Sequence, residues 1–142
     1  MSLSAIPRRL RAEVADRDAG QCGYCGLRQI GQAATFHVDH IVPRSRGGAT
    51  SIHNLVLQCP CCSLRKSDKV EAADPETQRR TTLFHPLRDA WADHFAIRPD
   101  GSCDGLTPIG RATVDALRMN DPLPRTARAM QVMLGLLGAT AS

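Results

Sequence analysis

Cys22-x-x-Cys25 and Cys59-x-x-Cys62 offer two pairs of thiols, each spaced so that one tight turn can aim both sulfurs at the same ion. Four thiolates fill a tetrahedral Zn²⁺ shell and leave no open position, so the pattern points to structural zinc and away from chemistry at that ion. The stretch between the pairs, residues 26–58, contains Asp39-His40 and then Asn54, and Ser63 directly follows Cys62. A histidine with an ordinary pKa of about 6.5 can accept a proton from water at neutral pH. Asp39 is a hard oxygen donor of the kind Mg²⁺ takes, with water and substrate oxygens completing the octahedron. Hydrolysing a phosphodiester needs a base for water and a cation to hold charge on the phosphate, and these residue types could supply both.

The elements that must position these groups can be read from pattern. Residues 7–18, with Leu10 and Val14 at helical spacing behind Pro7, predict a short amphipathic helix leading into the first cysteine pair. Cys22-Gly23-Tyr24-Cys25-Gly26 reads as a knuckle turn in which glycine lets the backbone wrap an ion. Residues 36–42 alternate and are rich in β-formers, predicting a strand that ends at Pro43, with a loop over 44–50. Residues 52–57 read as a turn or short helical piece, and Ser63 to about Ala73 as a polar helix closed by Asp74-Pro75. Leu83, Phe84, Trp91, Phe95 and Ile97 suggest a small satellite cluster. A hairpin is expected near 94–107, then a helix from Thr107-Pro108 to Asn120. Pro122 and Pro124 are expected to break the chain before a last helix over 125–137.

A chain of 142 residues suits one domain, or a small core with a tail. Its aromatic content of 4% leaves few large anchors, so a metal staple would add stability that a small core lacks. Five of the six cysteines fall in two tight clusters, unlike a disulfide framework. Spacing selects Cys59 and Cys62 over Cys61, which with Cys103 is left as a small buried residue or spare thiol. The net charge of +4 is uneven: residues 1–70 hold ten Lys/Arg against five Asp/Glu, which suits a polyanionic partner. No apolar run approaches the roughly 18 residues of a membrane span, and the first residues lack a signal core, so the expected compartment is the cytoplasm.

Cys22-x-x-Cys25, His37-Val38-Asp39-His40-Ile41-Val42-Pro43, Gly47-Gly48, Asn54-Leu55 and Cys59-x-x-Cys62-x-x-x-Lys66 together resemble the zinc-containing HNH endonucleases, over about residues 22–69. The resemblance implies an α+β chain with a small ββα-metal core stapled by a four-cysteine zinc site. It divides the chain into an N-terminal helix (1–21), the HNH core (22–74) and a C-terminal extension of hairpin and helices (75–142). It implies cleavage of DNA, double-stranded as the expected form, to a 5′-phosphate and a 3′-hydroxyl. In that scheme His40 activates the attacking water, Asp39 binds Mg²⁺ or another divalent ion, and Asn54 orients the imidazole or braces its loop. The family usually places Asn or His where this chain has Ser63; a serine hydroxyl binds Mg²⁺ in phosphate-binding loops, so Ser63 is the expected second ligand. Arg44, Arg46, Arg65, Lys66 and Lys69 flank the site and are candidates for phosphate contact, Lys66 by the family pattern as well. The rival reading is a noncatalytic zinc-knuckle module that binds nucleic acid or protein. A third makes residues 83–137 a partner-binding or dimerising surface; the oligomeric state is left open.

Overall fold

The computed structural model describes residues 6–140. Helix α1 (Arg8–Arg17) opens the chain after Pro7 and buries Val14. Strand β1 (His37–His40) pairs antiparallel with β2 (Leu55–Gln58), placing Asp39 opposite Val56 and His40 opposite Leu55. Helix α2 (Pro60–Lys66) follows at once. Then come the hairpin of β3 (Glu71–Ala73) and β4 (Arg80–Thr82), the short α3 (Trp91–His94), the hairpin of β5 (Phe95–Ile97) and β6 (Cys103–Gly105), and helices α4 (Pro108–Ala116) and α5 (Pro122–Met133). The chain is thus mixed α and β, with strands in two-stranded antiparallel sheets.

Against the expected turn or short helical piece over residues 52–57, Leu55–Gln58 is a strand. All four of its residues are buried, so the run is continuously apolar through Leu57 and shows no alternation to betray a strand. The first knuckle covers one side: a Cβ on Gly23 would lie 2.4 Å from Val56 Cγ2, so only glycine lets the turn sit there. The C-terminus of α1 holds the outer edge. Arg17 donates to the carbonyls of Ile52 and Leu55, both at 2.6 Å, and the Asp18 carboxylate accepts the Leu57 N–H at 2.9 Å.

The polar helix expected over 63–73 is also displaced. Cys59 caps α2 and Pro60 takes its first position, where a missing N–H costs nothing. Ser67 then adopts φ 49°, ending the helix, and residues 71–73 pair as a strand instead. Propensity alone would not reveal that pairing, because tertiary contacts override it. Pro122 and Pro124 likewise begin α5 rather than precede it, since a helix's first turn has unbonded N–H groups to spare. The hairpin near 94–107 and the Thr107 cap are as expected, the Thr107 hydroxyl accepting the Gly110 N–H at 3.0 Å.

The aromatic residues form no separate satellite. Phe84 and Phe95 belong to one core with Tyr24, Leu117, Met119 and the cysteines at 22, 25, 59 and 62. Trp91 packs against it and donates to the Tyr24 carbonyl at 2.8 Å. Residues beyond 74 therefore help enclose the cysteines. Among the described residues, no helix is long and apolar enough to cross a membrane.

Asp74 joins the β3–β4 hairpin to α4. Its buried carboxylate accepts two bonds from Arg111, at 3.0 and 2.8 Å, together with the Glu76 N–H and the Thr77 hydroxyl. Arg111 above all holds the Asp74 carboxyl down to about 2, below the usual 3.8. A depressed folded-state pKa adds stability that is present above the unfolded value and is lost as pH falls through the folded one. The stability gap between wild type and Asp74→Asn should therefore shrink as pH drops from about 4 to about 2. Urea midpoints taken across that range check this, and a constant gap would reject it.

Candidate active site and metal centre

The four thiols of Cys22, Cys25, Cys59 and Cys62 are buried, and their sulfurs all lie within 4.8 Å of one another. Cys25 and Cys59 Sγ stand 3.7 Å apart, far beyond the roughly 2.05 Å of a disulfide and close to the sulfur–sulfur edge of about 3.8 Å that Zn–S bonds of about 2.3 Å give in a tetrahedron. The donor set fits zinc in number, softness and spacing. Without a cation the four cannot all ionise. Hydrogen bonds from Cys22, Cys59 and Cys62 draw Cys25 toward the thiolate, while Cys22 above all pushes Cys59 and Cys62 toward the protonated form. Cys61 lies outside the group, half-buried, and burial pushes the Cys103 thiol up to about 12.

Metal cluster, strands and helix form one positioning unit. Cys59 Sγ accepts the Cys62 N–H at 3.4 Å, so a candidate zinc ligand also caps α2. The next residue on that helix, Ser63, donates its hydroxyl to Asp39 Oδ2 on β1 at 2.5 Å. Gln58 Nε2 reaches the same oxygen at 3.4 Å. Asp39 and Ser63 stand 24 positions apart in the sequence; the fold joins their oxygens directly.

His40, one residue on from Asp39, has its Nε2 2.8 Å from Thr50 Oγ1. Burial lowers its pKa first, with the charge of Arg44 acting in the same direction and Asp39 against both, which keeps the imidazole neutral at neutral pH. The Asn54 side chain makes no hydrogen bond to His40. Its amide instead closes the intervening loop, accepting the Val42 N–H at 3.0 Å and donating to the carbonyls of Val42 (2.9 Å) and Ala49 (2.8 Å). Thr50, which no sequence motif marks, is the group in contact with the imidazole. Gly47 turns that loop with φ 86°, and a Cβ on Gly48 would lie 1.8 Å from the Val42 carbonyl oxygen.

The five basic candidates part company. Arg44 and Arg46 stand exposed on a 3-10 turn, and Lys69 is exposed with Nζ on the Arg65 carbonyl at 2.9 Å. Arg65 lies 3.9 Å from Asp121. Lys66 is 2% exposed, and its ammonium donates to the Ile41 carbonyl at 2.7 Å. Burial takes its pKa down to about 8. A phosphate contact is therefore not available to Lys66, whose amine pegs the end of β1 from below. Arg8 and Arg11, which sequence pattern alone did not single out as ligands of a polyanion, line a groove of about 790 Å³ between α1 and β1. Its other wall includes His37, Asp39 and His40.

The segment that contains both thiol pairs, β1, β2 and α2 is also the one that a family model matches. Residues 22–69 match the HNH endonuclease family model. No curated protein matches the chain. The matched residues include the four clustered cysteines and Asp39–His40, and the match suggests a nuclease-type function.

Two outcomes follow from this geometry. The purified protein should hold one zinc per chain by elemental analysis, and strong chelation should abolish its near-ultraviolet circular dichroism, since such metal binding supplies folding free energy. An unchanged spectrum after complete chelation would reduce the cysteines to packing. Gly48→Ala should cost about 1–3 kcal/mol in urea unfolding while leaving zinc content intact, because the added methyl meets backbone.

Proposed function

We propose that this chain is a metal-dependent DNA endonuclease, with β1, β2 and α2 as its ββα-metal motif. The observation that carries the reading is the meeting of Asp39 and Ser63 oxygens beside His40, at the end of a strand braced by the HNH segment's own cysteines. Both oxygens are hard donors, so Asp39 and Ser63 are the residues that would hold a divalent ion. Bound there, the ion supplies charge stabilisation to the phosphate in cleavage. His40, neutral at rest, takes the proton of the attacking water. Thr50 orients the imidazole, and Asn54 holds the loop that carries Thr50. Arg8, Arg11, Arg44 and Arg46 neutralise the phosphate backbone near the strand end, giving binding that is salt-dependent and indifferent to sequence. In this reading residues 22–74 are the nuclease core, and residues 75–142 complete its hydrophobic enclosure.

One observation favours the noncatalytic alternative. The Ser63 hydroxyl spends its hydrogen on Asp39, so the two candidate ligands satisfy each other.

Plasmid cleavage separates the readings. The protein should nick supercoiled DNA with Mg²⁺ or Mn²⁺, and His40→Ala should slow nicking by about 10²- to 10⁴-fold with zinc content and circular dichroism unchanged. Absence of nicking in wild type, with activity appearing only in Ser63→Asn, would leave the native chain as a binding module. Replacing Arg8 and Arg11 together by Ala should reduce the slope of log affinity against log salt for duplex DNA by about 2, at roughly 0.9 per phosphate contact. An unchanged slope removes α1 from the interface.

A further inference from the structure

Arg128, in the middle of α5, is 0% exposed. Its Nε donates to the Gly101 carbonyl at 2.8 Å, and Nη2 donates to the Met119 carbonyl and, at 3.4 Å, to Asn120 Oδ1. Nη1 is buried with no hydrogen-bond partner. Among the described residues, no carboxylate lies within ion-pair distance of this guanidinium. The other buried charges are resolved differently: Asp74 faces Arg111, and Lys66 has a pKa near 8 and so can lose its proton at modest cost. An arginine keeps its charge under all these conditions. A permanent buried cation facing only neutral dipoles is strongly unfavourable, so its compensation must come from within the core.

The cysteine cluster is a source within that core. Met119, whose carbonyl accepts from Arg128, and Cys103, whose backbone the Asn120 amide clasps, pack in the same cluster as Cys22, Cys25, Cys59 and Cys62, and the neighbouring Ala127 packs against it. One turn further along α5, Gln131 accepts the Arg28 N–H at 2.9 Å and donates to the Arg28 carbonyl at 2.7 Å, clasping the helix to the chain just beyond the first knuckle. Four thiolates around Zn²⁺ carry a net charge of −2, sealed from water on every ligand.

We propose that Arg128 is the internal counter-charge of the zinc–tetrathiolate centre, so that α5 helps retain the metal without contributing a ligand. The two charges act through a low-dielectric core, each offsetting the other's loss of water. This inference rests on the cysteine cluster holding zinc and is independent of the nuclease reading.

The test compares Arg128→Gln, which keeps hydrogen-bond donors without charge, with Arg128→Lys, which keeps charge in a different shape. Zinc affinity is measured on the full chain by competition with a chromogenic chelator. Gln should weaken it by about 10- to 100-fold, the range typical of groups just outside a metal's ligands, and Lys should recover most of that loss. In the Co²⁺-substituted protein the thiolate-to-metal charge-transfer band should move to lower energy with Gln and stay near the wild-type position with Lys. Equal losses from Gln and Lys, or a band that moves with neither, overturn the proposal. If Arg128→Gln fails to fold, the Lys variant decides alone: wild-type-like affinity and band position support the counter-charge, and a tenfold or greater loss overturns it. A wild-type chain that binds no zinc defeats this inference and the zinc reading together, while leaving the plasmid assay to judge the nuclease.

Discussion

Four sulfurs brought within 4.8 Å inside a buried core cannot all ionise unaided, and a divalent cation held among them would relieve that conflict. The remainder of the chain is hung from that point. The first knuckle lies against Val56 through Gly23, fixing where β2 runs. The second knuckle starts α2 at Cys59, fixing where Ser63 stands. Because β1 is read off β2 by an antiparallel ladder, the position of Asp39 depends on both knuckles at once. A displacement of either would strain the contact between Asp39 and Ser63.

The chain beyond residue 74 acts as a cover for this assembly. Phe84 and Phe95 meet edge-to-face with centroids 5.0 Å apart, and Trp91 and Tyr24 join the same layer. With so few aromatic residues, this layer accounts for most of the large apolar anchors in the molecule, and it lies over the cysteines. The extension is thereby the second half of a shared core, and its helices α4 and α5 are tethered through Asp74 and Arg28 respectively.

What was legible in the sequence was whatever local spacing dictates. The two Cys-x-x-Cys pairs, the helix behind Pro7, the strand carrying Asp39-His40 and the Thr107 cap each declare themselves within a few residues. The strand at 55–58 and the hairpin of β3 and β4 did not, because burial on both faces in one case and strands of only three residues in the other leave no periodic mark. The same distinction runs through the site. Asp39, His40 and Ser63 could be picked out by type and spacing, but the contact of Thr50 with His40 depends on how a loop closes. Lys66 fits the family's pattern at its position, yet its neighbours send its amine inward to the Ile41 carbonyl. The orphaned Arg128 carries no local signature at all.

The double duty of Cys59 governs the order in which the molecule can be assembled. Its sulfur is at once a member of the metal cluster and the acceptor that begins α2. A newly made chain with this thiol uncommitted has no fixed start for the helix, and Ser63 has no fixed address. Zinc binding at the cluster and the start of α2 would then be coupled, because both draw on the Cys59 sulfur. A chain deprived of zinc would then loosen its proposed cutting edge and its C-terminal cover together, since both pack on the same cysteine core.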